Sequence, residues 1–161
     1  MLGVSFDEAQ LLINKYNQKA PFVKQLSERC MKKANSEGVI RTKIGRKCRF
    51  ELWEPTQWGV HKPLPLNQAK VEYGEAIKRY GTYKALNRLI QGSAADQTKQ
   101  AIVSCFEAGF TPLLQIHDEL CFNIKSVKQV EEIKRVMETC MKLKVPSVVD
   151  VALGNDFGMA T

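Results

Sequence analysis

Thr111-Pro112-Leu113-Leu114-Gln115-Ile116-His117-Asp118-Glu119-Leu120-Cys121-Phe122-Asn123-Ile124 holds two short apolar runs around a polar centre. Runs of that length and composition read as the arms of a β-hairpin, with His117, Asp118 and Glu119 at its tip. Adjacent carboxylates on a rigid element repel one another unless a cation joins them or water surrounds them. Mg²⁺ takes one or two carboxylates completed by substrate phosphates, and such a tip offers part of that donor set. Polar residues at a hairpin tip also commonly do no more than face water. Taken alone, the segment leaves both readings open.

Outward from this hairpin the chain alternates helix and strand signals. Val127–Lys142 has Val130, Ile133, Val136, Met137 and Cys140 at helical spacing, and beyond Pro146 a last strand is expected over Val148–Leu153. Upstream, Tyr83 to Glu107 is the longest helical stretch, expected to break near Gln91-Gly92-Ser93 and to stop at Ala108-Gly109. A helix from Asn67 to about Arg79 would end at Gly81, and 51–66, with three prolines and two tryptophans, reads as an irregular loop. Val39–Thr42 and Lys47–Phe50 flank Gly45 as a short hairpin. Ser5 caps a helix over 6–17, and Pro21 opens another that runs to Gly38. The fold class is therefore α+β, helices packed on a small antiparallel sheet.

Two further features carry chemistry. In the long helix Asn87 and Gln91 are four apart and share one face, beside the small residues Gly92, Ser93, Ala94 and Ala95. Their amides both donate and accept, which suits groove edges and sugar oxygens. Small-residue helix packing with two solvated amides is the plainer alternative. The 29–49 segment carries Arg29, Lys32, Lys33, Arg41, Lys43, Arg46, Lys47 and Arg49 against Glu37 alone. Cations gathered on one hairpin attract phosphate backbones, although a charge run also serves simply as a solvated face.

Composition narrows the class. The 161 residues are 44% hydrophobic and 25% charged, ordinary for a globular chain and unlike disordered or fibrous ones. The formal charge of +7 is uneven. Residues 1–50 hold eleven Lys/Arg and four Asp/Glu, whereas the rest carry thirteen of each sign. Localised basicity of this kind points to a polyanionic partner. No apolar run is long enough for a membrane span, and the first residues lack the pattern of a secretory signal, so cytoplasm is the expected location. Five cysteines without a C-x-x-C pair, and only two histidines, argue against a disulfide framework or structural zinc.

These motifs occur in a known order. Leu2-Gly3-Val4-Ser5 with Glu8-Ala9-Gln10, Gly38-Val39-Ile40-Arg41-Thr42-Lys43-Ile44-Gly45-Arg46-Lys47, Leu86-Asn87 through Ile90-Gln91-Gly92-Ser93-Ala94-Ala95-Asp96, Leu113–Leu120 and Leu153-Gly154-Asn155-Asp156-Phe157 appear in register. Together they resemble the C-terminal part of family A DNA polymerases, the bacterial polymerase I and phage replicative group. The resemblance covers all but about 51–82, a segment longer than in bacterial members, which points to a phage-like source and so to a host cytoplasm.

The resemblance implies a division into distal fingers helices and basic hairpin (1–50), an insertion loop and helix (51–82) and palm (83–161). It implies that Asp118 binds catalytic Mg²⁺, with Glu119 tuning the site, and that His117 meets the primer terminus. Asn87, Gln91 and Lys84 would face the primer–template duplex, with Thr42, Arg46 and Lys47 on the DNA backbone. Deoxynucleoside triphosphates would be the substrates. The family's other metal-binding aspartate and its nucleotide-binding fingers helix have no counterpart in this sequence, and Tyr83 stands where many members have arginine. An upstream polymerase polypeptide, or a missing N-terminal region, would have to supply the rest of a two-metal site. Two alternatives remain beside this one: a non-catalytic DNA-binding module, and a fragment of a single-subunit RNA polymerase, a group whose palm motif usually ends H-D-S.

Overall fold

The computed structural model describes residues 3–159; Leu2, where the resemblance begins, lies outside the described residues. The chain divides into two compact units, Met1–Gln91 and Gly92–Thr161.

The first unit opens with α1 (Phe6–Lys19), set by a reciprocal cap. The Ser5 N–H donates to the Glu8 carboxylate at 2.9 Å, and the Glu8 N–H donates to the Ser5 hydroxyl at 3.3 Å. These contacts hold the Glu8 carboxyl below its ordinary range, the Ser5 backbone N–H contributing most. Helix α2 (Pro21–Glu37) starts on proline and stops where Gly38 turns left-handed. It is followed by the expected hairpin, β1 (Val39–Arg41) against β2 (Lys47–Arg49), with Ile40 opposite Cys48. Cys30 and Ala34 of α2, Ile40, Phe50 and Ala85 form the buried core of this unit, with Leu26, Cys48, Leu86 and Leu89 against it.

Residues 51–66 depart from the expected loop. They supply β3 (Leu52–Pro55) and β4 (Leu64–Pro65), which join β5 (Ile77–Arg79) in a sheet of order β4-β3-β5. Helix α3 spans only Leu66–Tyr73, because Gly74 adopts φ 74° and the chain beyond it pairs with β3 instead of continuing as helix. Prolines are tolerated in these strands at their ends, and Glu54 and Lys78, directly opposite, pair at 3.7 Å.

Arg79 fastens this sheet to the core. Its guanidinium lies 4.6 Å from the centre of the Trp53 ring and donates to the Asn35 carbonyl at 3.1 Å and the Phe50 carbonyl at 2.8 Å. Gly38 is what makes room. Its φ is 68°, and a Cβ there would lie 2.6 Å from the Arg79 guanidinium carbon. Gly38→Ala is expected to cost about 2 kcal/mol, from backbone strain plus a displaced Arg79, read as a lower urea midpoint at unchanged slope.

Helix α4 (Ala85–Glu107) begins in the first unit, after a 3-10 turn over Thr82–Lys84, and continues into the second. The expected break at Gln91-Gly92-Ser93 does not occur. Gly92 stays helical, a local cost of about 1 kcal/mol relative to alanine that the good helix formers around it outweigh.

In the second unit Gly109, at φ 88°, ends α4, and β6 (Pro112–Ile116) pairs with β7 (Glu119–Phe122), followed by α5 (Val127–Thr139). Its buried side chains are Asp96, Thr98, Ala101 and Cys105 from α4, Val130 and Ile133 from α5, and Met141. Burial pushes the Cys105 and Cys140 thiols above their ordinary value, which suits packing and not nucleophilic chemistry.

The strand expected at Val148–Leu153 is not formed. The Val149 N–H is taken by the Glu138 carboxylate at 3.0 Å, and the Ser147 hydroxyl accepts from the Gln97 amide at 2.8 Å. Side chains thus hold this extended stretch where a ladder partner is lacking among the described residues. The α+β class stands, with three small antiparallel sheets in place of one.

Candidate functional site

Three sequence-adjacent candidates are brought to one point by the β6–β7 hairpin. Ile116 pairs with Glu119, so His117 and Asp118 are the two turn residues and Glu119 is the first of β7. His117 carries the one positive φ, 54°, among the described non-glycine residues. Such a backbone costs about 1 kcal/mol or more, and here the Gln115 side-chain amide donates to the His117 carbonyl at 2.9 Å and braces it. His117, Asp118 and Glu119 are all exposed, so the turn offers two carboxylates and an imidazole to the outside. The expected acidic tip is therefore present, with its turn braced by Gln115.

The donor set suits a hard divalent cation completed by phosphate oxygens, yet it is short of a full cage. Among the described residues no three His, Cys, Asp or Glu side chains gather as a metal centre. Asp118 sits in the turn itself, with Glu119 beside it at the start of β7.

Apart from His117, which lies in the second unit, the nucleic-acid candidates belong to the first. Asn87 and Gln91 are exposed on α4 one turn apart, as the spacing predicts. Lys84 is exposed just before α4, its ammonium 5.3 Å from the Tyr83 ring centre. Arg46 and Lys47 are exposed on the basic hairpin. Thr42 differs: it is buried, and it organises the turn. Its N–H donates to the Arg46 carbonyl at 2.9 Å, its carbonyl accepts from Gly45, and its hydroxyl accepts from the Arg46 N–H at 3.1 Å. Arg41 closes the same turn by donating to the Gly45 carbonyl at 3.0 Å. Thr42 thus aims Arg46 and Lys47.

Two positioning residues escaped the sequence reading. Arg88 lies 4.8 Å from the Phe50 ring centre and donates to the Arg49 carbonyl at 3.4 Å, which fixes the start of α4 to the basic hairpin. Arg79 does the same for the 52–79 sheet. Their partners lie 29 to 44 residues away in sequence, so no local pattern marks them.

Residues 1–159 match the sequence profile of DNA polymerase family A, and the chain belongs to that family. Its particular relatives agree. It is 38% identical over 151 residues to a DNA-directed DNA polymerase of Pseudomonas phage M6, covering 94% of this chain and 20% of the relative. It is 30% identical over 164 residues to the thermostable DNA polymerase I of Thermus aquaticus, covering 97% of this chain and 18% of that enzyme. Among solved structures, the polymerase domain of Pol1 from M. smegmatis, in complex with DNA primer-template and dNTP, is similar with a TM-score of 0.64 at 27% identity. That match covers 90% of this chain and 24% of the other. The chain therefore spans about a fifth of the length of the relatives it matches. The α+β class and the family resemblance are both upheld by these matches, and no helix among the described residues is long and apolar enough to cross a membrane.

Proposed function

We propose that this chain supplies the C-terminal part of the active site of a DNA-directed DNA polymerase, joining deoxynucleotides to a primer 3′-hydroxyl with release of pyrophosphate. The carrying observation is the exposed His117–Asp118 turn with Glu119, held rigidly on a hairpin in a chain of family A. On this reading Asp118 holds Mg²⁺, which when bound would neutralise charge on the reacting phosphates. Glu119 tunes that carboxylate by proximity, and His117 meets the primer terminus. Asn87, Gln91 and Lys84 read the primer–template duplex without base specificity, and Arg46 and Lys47 hold its backbone on the turn that Thr42 builds. Residues 1–50 act as distal fingers, 51–82 as an insertion and 83–161 as palm, in a host cytoplasm.

The second carboxylate and the nucleotide-binding helix come from the rest of a family A polymerase, whether on the same polypeptide or another. Unpartnered apolar surface supports this division. Phe6, Ile13 and Tyr16 of α1 are exposed, as are Leu113 and Leu114 beside the catalytic turn. Mixing the chain with the upstream polymerase portion, primer–template, Mg²⁺ and four deoxynucleotides is expected to give primer extension, with none from either part alone. Duplex binding without extension under every such pairing would leave only the DNA-binding module.

A further inference from the structure

We infer that the loop between β3 and β4, residues 56–63, is a stacking platform for unpaired nucleotides, with Trp58 as its contact residue. The inference rests on the polymerase reading above and assigns a role to the insertion, a segment that reading leaves without one. Trp58 is 99% exposed, and Val60 beside it is fully exposed. A tryptophan left so open is unusual, because its burial would ordinarily stabilise the fold.

The loop is nonetheless built. Thr56 is tied at one end, its N–H and its hydroxyl both donating to the Ala76 carbonyl at 2.9 and 3.1 Å. At the other, the Tyr73 hydroxyl donates to the Lys62 carbonyl at 3.0 Å. Between them His61 folds back edge-on to the Tyr73 ring, 5.9 Å between centres. Gly59 is what admits it, since a Cβ there would lie 2.7 Å from His61 Nε2. That Nε2 is buried without a hydrogen-bonding partner among the described residues. The fold accepts an unsatisfied imidazole in order to keep this conformation, the kind of local cost that functional loops carry. His61 turns in, and Trp58 stands out on a fixed base.

Chemistry selects the occupant. Residues 56–63 include Lys62 and no carboxylate, and they belong to the unit that carries the whole positive excess of the chain. Gln57 and Lys62 put an amide and a cation in the same short loop as the indole, and Val60 adds apolar surface. An aromatic face with an amide and a cation is the makeup of single-strand sites, where bases stack and phosphates meet charge. Paired bases hide their faces inside the duplex, so the ligand must be unstacked nucleotides. In a polymerase these are the single-stranded template extension.

The experiment compares this full chain with its Trp58→Ala and Trp58→Phe variants on two probes, a blunt duplex and the same duplex with a single-stranded template extension. Trp58→Ala is expected to weaken binding of the extended probe about tenfold and to leave the blunt duplex unchanged. The extended probe should quench tryptophan fluorescence in the unsubstituted chain and not in Trp58→Phe, where only Trp53 reports. At an exposed position neither variant should alter the melting temperature. Binding of both probes that ignores Trp58→Ala would overturn the proposal and leave the polymerase reading intact. Failure of the unsubstituted chain to bind either probe would sink that reading and this one with it. Unaltered DNA affinity combined with weaker pairing to the upstream polymerase portion would make the loop a protein contact, which also overturns it.

Discussion

Asp118→Ala is expected to remove primer extension from the reconstituted polymerase while leaving duplex affinity within a factor of about two. The loss should reach a thousandfold or more, about 4 kcal/mol of transition-state stabilisation, because the carboxylate that would hold the catalytic cation is gone. The substitution is clean for a structural reason. Asp118 is exposed in a two-residue turn whose bracing bond runs from Gln115 to the His117 carbonyl, and among the described residues no hydrogen bond to its own carboxylate supports the hairpin. The melting temperature of the chain should therefore not move. Glu119→Gln, one residue along on β7, should cost far less, since on the proposed reading Glu119 would tune a charge and leave the cation to Asp118. Equal activity of Asp118→Ala and the unsubstituted chain would remove the hairpin from the chemistry. Full loss of duplex binding would instead make Asp118 a structural residue.

That site was legible because it is local. An apolar run, three polar residues and a second apolar run specify a hairpin and its tip without reference to anything distant, although the pairing of Ile116 with Glu119 draws Glu119 out of the tip and into β7. The same holds for the Ser5–Glu8 cap, for Gly38 and for Gly109, each of which ends or begins a helix by its own backbone needs. What stayed hidden depends on distance. Strand β3 is four residues long, ends in Pro55 and is recognised only through its pairing with β4 and with β5, the latter more than twenty residues on. Seen without that partner, Ile77–Arg79 passes for the end of a helix. Val148–Leu153 shows the converse: strand-like residues need an edge to pair with, and here Glu138 and Gln97 take the polar groups first. Gln91-Gly92-Ser93 suggested a break in α4, but helix continuity is decided by the turns on either side. Of the candidate site, the carboxylates, amides and cations could be read, whereas the arginines that hold them in place could not.

On the proposed reading helix α1 is a surface for the upstream polymerase portion to cover, and a single charge there should have a large effect. Phe6, Ile13 and Tyr16 recur at the spacing of a buried stripe, yet no residue of α1 is buried and Phe6 is 82% exposed. Burying one such side chain is worth about 2 kcal/mol, so the three of them supply a large part of the affinity of a stable association. Alone, the chain should self-associate through this surface, since apolar patches without a partner find one another. Ile13→Glu should make it monomeric by sedimentation and weaken pairing with the upstream polymerase portion about a hundredfold, because a carboxylate would be buried without a partner. Stability of the chain itself should be unchanged, for Ile13 already faces solvent in it. Primer extension at saturating concentrations of the upstream portion should then recover, which separates a docking defect from a catalytic one. If Ile13→Glu pairs as tightly as the unsubstituted chain, the stripe is not the seam, and the exposed hairpin leucines would have to carry the association without it.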